Sequence, residues 1–115
     1  MSALSDEKCV PCQGGIPPME PEEIQDHLDE VDDGWEVKRD HHITRHFEFD
    51  DFEEALEFVN EVGEVAEEEG HHPNIEFTWG EADVTFYTHK IDGLHKNDFR
   101  MAAKVDEVYE EGFAT

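Results

Sequence analysis

The chain has 115 residues, 37% of them hydrophobic with eight Phe, which suffices for one modest core and leaves no room for a second catalytic domain. Thirty-two Asp and Glu against eight Lys and Arg give a formal charge of −24, and no basic stripe interrupts it, which argues against nucleic acid and anionic membrane as partners. A folded domain of this charge repels itself in dilute buffer, so the composition predicts a salt-rich working solvent such as a halophile's cytoplasm.

Residues 1–19 read as an irregular arm ending near Pro17 and Pro18, followed by a single domain over 20–115. The arm shows no charged-then-apolar leader pattern, and no apolar run reaches the roughly 20 residues of a membrane span, so the default reading is a cytoplasmic protein. Cys9 and Cys12 form one CxxC, half of a structural zinc set, with Gly14, Gly15 and the two prolines after it rather than a helix; a structural or incidental role is expected.

From Glu20 to Val31 the spacing predicts a helix with Ile24, Leu28 and Val31 on one side. Trp35–Lys38 and Ile43–Phe49 read as strands, although Arg45 breaks the apolar alternation of Ile43, Phe47 and Phe49. Asp50 or Asp51 caps a long amphipathic helix with Phe52, Ala55, Leu56, Val59, Val62 and Ala66 on its apolar face and a glutamate-lined outer face; Gly70 stops it. Ile75, Phe77 and Trp79 alternate as a strand, Gly80-Glu81 turns, and Ala82, Val84, Phe86 and Thr88 alternate as its antiparallel partner. A last helix follows from about Lys96 to Glu111, carrying Phe99, Ala102, Ala103, Val105 and Val108. The order α-β-β-α-β-β-α predicts an α+β domain, a four-stranded antiparallel sheet with three helices on one face.

Eight histidines are the chemical signal. His27 reads as a solvated surface residue, His41, His42 and His46 as surface or supporting groups, and His95 as an occupant of a helix-cap position. His71 and His72 sit between the long helix and a strand, fixed by Pro73, which disfavours helix at His72. His89, at the end of the antiparallel partner strand, comes back beside them. From spacing alone, an incidental surface cluster competes with an acid/base site. Zinc is the poorer reading, because adjacent histidines rarely aim at one ion and no HExxH pair exists. Neither a nucleophile triad nor a phosphate loop is present.

The segment from Glu67 to Asp98 resembles the pterin-4a-carbinolamine dehydratases: Glu67, three residues, His71-His72-Pro73, an aromatic at Trp79, alternating Ala82, Val84 and Phe86, then Thr88-His89 and Asp98. The match extends upstream through Gly34-Trp35, Phe47, Phe49, Phe52 and Ala55 to the CVPCQGG start. The resemblance implies dehydration of 4a-hydroxytetrahydropterin to quinonoid dihydropterin, with His71, His72 and His89 as active-site histidines and Glu67, Pro73, Thr88 and Asp98 in binding or support. It also implies no cofactor or metal, a homodimer or homotetramer associated through the sheets, and a link to aromatic amino acid hydroxylases. A regulatory module acting on a protein partner, and a role in molybdopterin metabolism, are the competing readings. The glutamate-lined helices offer the former little apolar surface.

Overall fold

A computed structural model describes residues 4–10 and 14–113. Helix α1 (Pro21–Leu28) is followed by strands β1 (Glu36–Lys38) and β2 (His42–Glu48), helix α2 (Phe52–Glu69), strands β3 (Asn74–Thr78) and β4 (Glu81–Phe86), a 3-10 turn at His89–Ile91, and helix α3 (Lys96–Gly112). The four strands form one antiparallel sheet in the order β1-β2-β4-β3. The α+β class and element order are those the periodicity predicts.

Register explains which face the helices cover. Ile43 pairs with Phe86 and Phe47 with Ala82, and these four, with Val84, are buried together with Phe58 and Val62 of α2 and Phe99, Ala102 and Val105 of α3. The opposite face carries Thr44, His46, Glu48, Thr85, Asp83 and Glu76, and is polar. Arg45 points to the helix side, opposite Val84, and is not an irregularity. Its guanidinium reaches Asp106 of α3, whose carboxylate also accepts the Trp35 indole N–H at 2.8 Å and the Asp32 backbone N–H at 2.9 Å. A buried cation there requires a buried anion, which only the folded chain supplies.

Three sequence expectations shift. The buried stripe of α2 is Ala55, Phe58, Val62 and Ala66, while Phe52 and Leu56 are exposed. Both stripes satisfy the helical period, and the choice falls to whichever side the sheet occupies. Thr78 pairs with Glu81, so Trp79 is not a strand residue; it forms the hairpin loop with Gly80 and is 65% exposed. His27 is half-buried, its ring 5.5 Å from Phe99, with Nδ1 at 2.7 Å from Glu30.

The described part of the arm is packed. Leu4 is buried, Glu7 pairs with Arg100 at 2.8 Å, and the Met19 N–H donates to the Leu94 carbonyl. Pro18 closes on Gly93, where an added Cβ would stand 2.6 Å from the Pro18 Cβ. Gly93→Ala is therefore expected to destabilise by about 1–3 kcal/mol in urea unfolding, through displacement of the arm. An unchanged midpoint would show that this contact is slack.

On the open face, His46 lies 2.7 Å from Asp83, 3.4 Å from Glu81 and 3.7 Å from Glu48. The Asp83 hydrogen bond raises its pKa above the ordinary 6.5, against the opposing effect of desolvation, and the carboxylate charges add to the rise. A raised folded-state value contributes stability that is whole below the unfolded value and lost as pH rises through the folded one. The melting-temperature difference between the wild type and His46→Gln should then be larger at about pH 6 than at about pH 9. Equal differences would count against this linkage.

Candidate functional site

The site begins where α2 ends. Gly70 takes the left-handed conformation (φ 69°) that an L side chain adopts only at a cost, and donates its N–H to Ala66. The chain then turns sharply, and His71 and His72 emerge before Pro73 leads into β3. On the facing side, Thr88 forms an isolated bridge to Gly93, and His89 opens the 3-10 turn. His89 thus lies beyond the strand rather than at its end, because β4 stops at Phe86. The convergence expected from the antiparallel pairing nonetheless holds. His71, His72 and His89 line one cleft of about 400 Å³ with Thr88, Tyr87, Lys90, Glu69, Asn97 and the arm residues Cys9 and Val10.

Each imidazole has a different setting. His71 is mostly covered, and its Nε2–H donates to Asp98 Oδ1 at 2.6 Å. Asp98 is fully buried, and its other oxygen accepts the Thr88 hydroxyl and the His95 backbone N–H, both at 2.9 Å. A buried carboxylate holding three donors is a rigid anchor, and it keeps a hydrogen on His71 Nε2 and fixes the orientation of the ring. His72 is exposed, its Nε2–H donating to Glu67 Oε2 at 2.6 Å, one helical turn back on α2. His89 is exposed and lies against Tyr87, ring centroids 4.2 Å apart. Of the supporting residues read from the sequence, Asp98 and Thr88 form the anchor, Glu67 holds His72, and Pro73 sets the exit of the turn outside the cleft wall.

His95 caps α3, its Nδ1 accepting the Asn97 N–H at 2.9 Å, with Asp98 completing the capping box. Burial lowers its pKa, in keeping with a nitrogen that must stay unprotonated to accept. The cap does what a Ser or Thr would do and also places Asp98 under His71.

Sequence reasoning missed the arm and Tyr87. Asn97 Oδ1 accepts the Val10 N–H at 3.0 Å and its Nδ2–H donates to the Val10 carbonyl at 2.6 Å, while the Cys9 N–H donates to Glu69 at 2.8 Å. This docking sets one cleft wall across a separation of 87 residues, which no local pattern signals. Burial, reinforced by the Glu69 charge, pushes the Cys9 thiol up to about 11, so it stays protonated and a poor nucleophile at neutral pH. Cys12 lies outside the described residues. Tyr87 did have a signal: period-two alternation puts it opposite Phe86, on the open face. Among the described residues, no cluster of three or more His, Cys, Asp or Glu side chains has an arrangement that could hold a metal ion, and no helix is long and apolar enough to cross a membrane.

A cleft of this size, with three imidazoles and two of them held by carboxylates, can bind a small bicyclic polar molecule and move protons on it. Residues 17–108 match the family model described as pterin 4 alpha carbinolamine dehydratase. A relative from Rubrobacter xylanophilus named for that family is 55% identical over 108 residues, covering 94% of this chain and all of the relative. One from Methylococcus capsulatus, similarly named, is 52% identical over 110 residues, covering 95% and 96%. The crystal structure of a transcriptional coactivator/pterin dehydratase from Brucella melitensis superposes with a TM-score of 0.74 at 33% identity, over 79% of this chain and 97% of that one. A pterin dehydratase-like protein identified as a RuBisCO assembly factor shares the fold at TM-score 0.56 and 22% identity, over 65% and 88%. The halophile source read from the charge finds no support among the relatives, which come from diverse bacteria.

Proposed function

Because this chain belongs to the pterin 4 alpha carbinolamine dehydratase family, we propose that it eliminates water from a 4a-hydroxytetrahydropterin to give the quinonoid dihydropterin, with His71, His72 and His89 as its working groups. One observation carries the reading: the three family-signature histidines line a single cleft of a size suited to a pterin ring. In the reaction the C4a–O bond breaks. A proton goes to the departing hydroxyl, which leaves as water, and a ring nitrogen gives up its proton as its electrons form the new double bond.

The settings divide the labour. His72 and His89 are open to solvent and can exchange protons between turnovers, so they serve as the acid and base. His71, locked on Asp98, orients the ring. No cofactor is needed for such a proton-transfer elimination. The product would return to a pterin-dependent aromatic amino acid hydroxylase, in the cytoplasm, and the enzyme would work as a homodimer or homotetramer. The test is the dehydration rate of chemically generated 4a-hydroxytetrahydropterin, followed by ultraviolet absorbance, with and without protein. Acceleration above the spontaneous rate is expected. A folded protein that leaves the rate unchanged would overturn the proposal.

A second reading rests on a surface the sequence did not suggest. Phe52 and Phe77 stack at 5.6 Å beside exposed Leu56 and Trp79, at the free edge of β3. Such a patch suits a protein partner, and the module reading would gain if the cleft bound a pterin without turning it over.

A further inference from the structure

The histidine cleft does not end at His89. Tyr87 is a wall shared with a second hollow of about 470 Å³, lined by Arg39, His41, His42, Asn74 and Thr85. The rings form a continuous row: Tyr87 lies 4.2 Å from His89 on one side and 4.5 Å from His41 on the other, and His41 lies 5.3 Å from His42. The row is tied across the fold. His41 Nε2–H donates to Asp92 at 2.8 Å, in the same short segment that carries His89, and the Nδ1 atoms of His41 and His42 share a hydrogen at 3.0 Å.

Charge distinguishes this hollow from the rest of the molecule. Only eight Lys and Arg oppose 32 carboxylates in the chain, yet Lys38 and Arg39 stand together here beside two imidazoles. Lys38 is paired with Glu36 at 2.9 Å, and Asp92 is held by His41. Arg45 and Arg100 have carboxylate partners, whereas Arg39 forms no ion pair among the described residues. The turn carrying it is built at a cost, since Arg39 and Asp40 both adopt positive φ, 56° and 54°. Burial lowers the pKa of His42, and the neighbouring His41, Arg39 and Lys38 push it the same way.

We propose that this hollow is a subsite for an anionic group, phosphate or carboxylate, on the side chain of the pterin substrate, gripped by Arg39 while the ring lies past Tyr87 among His71, His72 and His89. The inference rests on the pterin-dehydratase reading and adds the substrate class to it. A guanidinium fork matches both anions in a two-point contact that an ammonium cannot reproduce. The Asn74 amide supplies a further donor along the wall, whereas the Thr85 hydroxyl already donates to Thr44 at 3.0 Å.

The experiment compares kcat/KM for three 4a-hydroxytetrahydropterins: one with a neutral hydroxylated side chain, its phosphate ester, and a side-chain carboxylate. The wild type should favour at least one anion over the neutral compound by about tenfold, a charge-assisted contact's worth, and the larger preference identifies the anion. Arg39→Asn, which tolerates the left-handed turn, should erase the preference, and Arg39→Lys should keep part of it. Equal values for the three compounds, or a preference that survives Arg39→Asn, would overturn the subsite alone. Failure to accelerate any of them would overturn the dehydratase reading and the subsite with it.

Discussion

His71→Ala and His89→Ala are each expected to lower kcat for dehydration by about 10²- to 10⁴-fold, the usual contribution of a placed acid, base or orienting group. The fold should survive both. Asp98 keeps two of its three donors, Thr88 and the His95 N–H, when His71 is removed, and His89 is exposed. His46→Gln is the matched control: it removes another exposed imidazole, on the open sheet face among Asp83, Glu81 and Glu48, and should leave kcat unchanged. Stopped-flow absorbance gives the rates and circular dichroism melts confirm folding. Wild-type turnover by His71→Ala or His89→Ala would remove that residue from the mechanism.

Arg45→Met is expected to destabilise the domain by about 3–5 kcal/mol, because it leaves the Asp106 carboxylate buried without its counter-charge. Asp106 is 7% exposed and would retain only the Trp35 and Asp32 N–H donors. Burial already pushes its carboxyl up, against the lowering effects of those hydrogen bonds and of Arg45. The double variant Arg45→Met/Asp106→Leu should lose less than the two single changes summed, since it removes both charges together. Urea unfolding measures all three. A loss under about 1 kcal/mol for Arg45→Met would mean that water reaches the pair and screens it.

The histidine cleft was legible because its parts are local: Gly70 ends a helix, Pro73 fixes the next turn, and a two-residue hairpin loop brings Thr88 and His89 back. The four-stranded sheet was legible for the same reason, through period-two alternation in β2 and β4. The Arg45–Asp106 pair was not, because 61 residues separate the partners and an arginine among apolar residues reads as an interruption until its acceptor is known. Phe58 does not stand out in the sequence of α2 because two overlapping stripes satisfy the same period, and the sheet decides between them. The arm reads as irregular, yet in its described part Asn97 and Glu69 hold Val10 and Cys9 as a wall of the cleft.

In the proposed function a pterin binds in the cleft of His71, His72 and His89. The most direct test is imidazole-detected NMR during titration with an unreactive dihydropterin. Saturable shifts are expected at His71, His72 and His89, with His27 and His46 unmoved. A pterin that binds while those three resonances stay still, or that instead perturbs Phe52, Phe77 and Trp79, would contradict it.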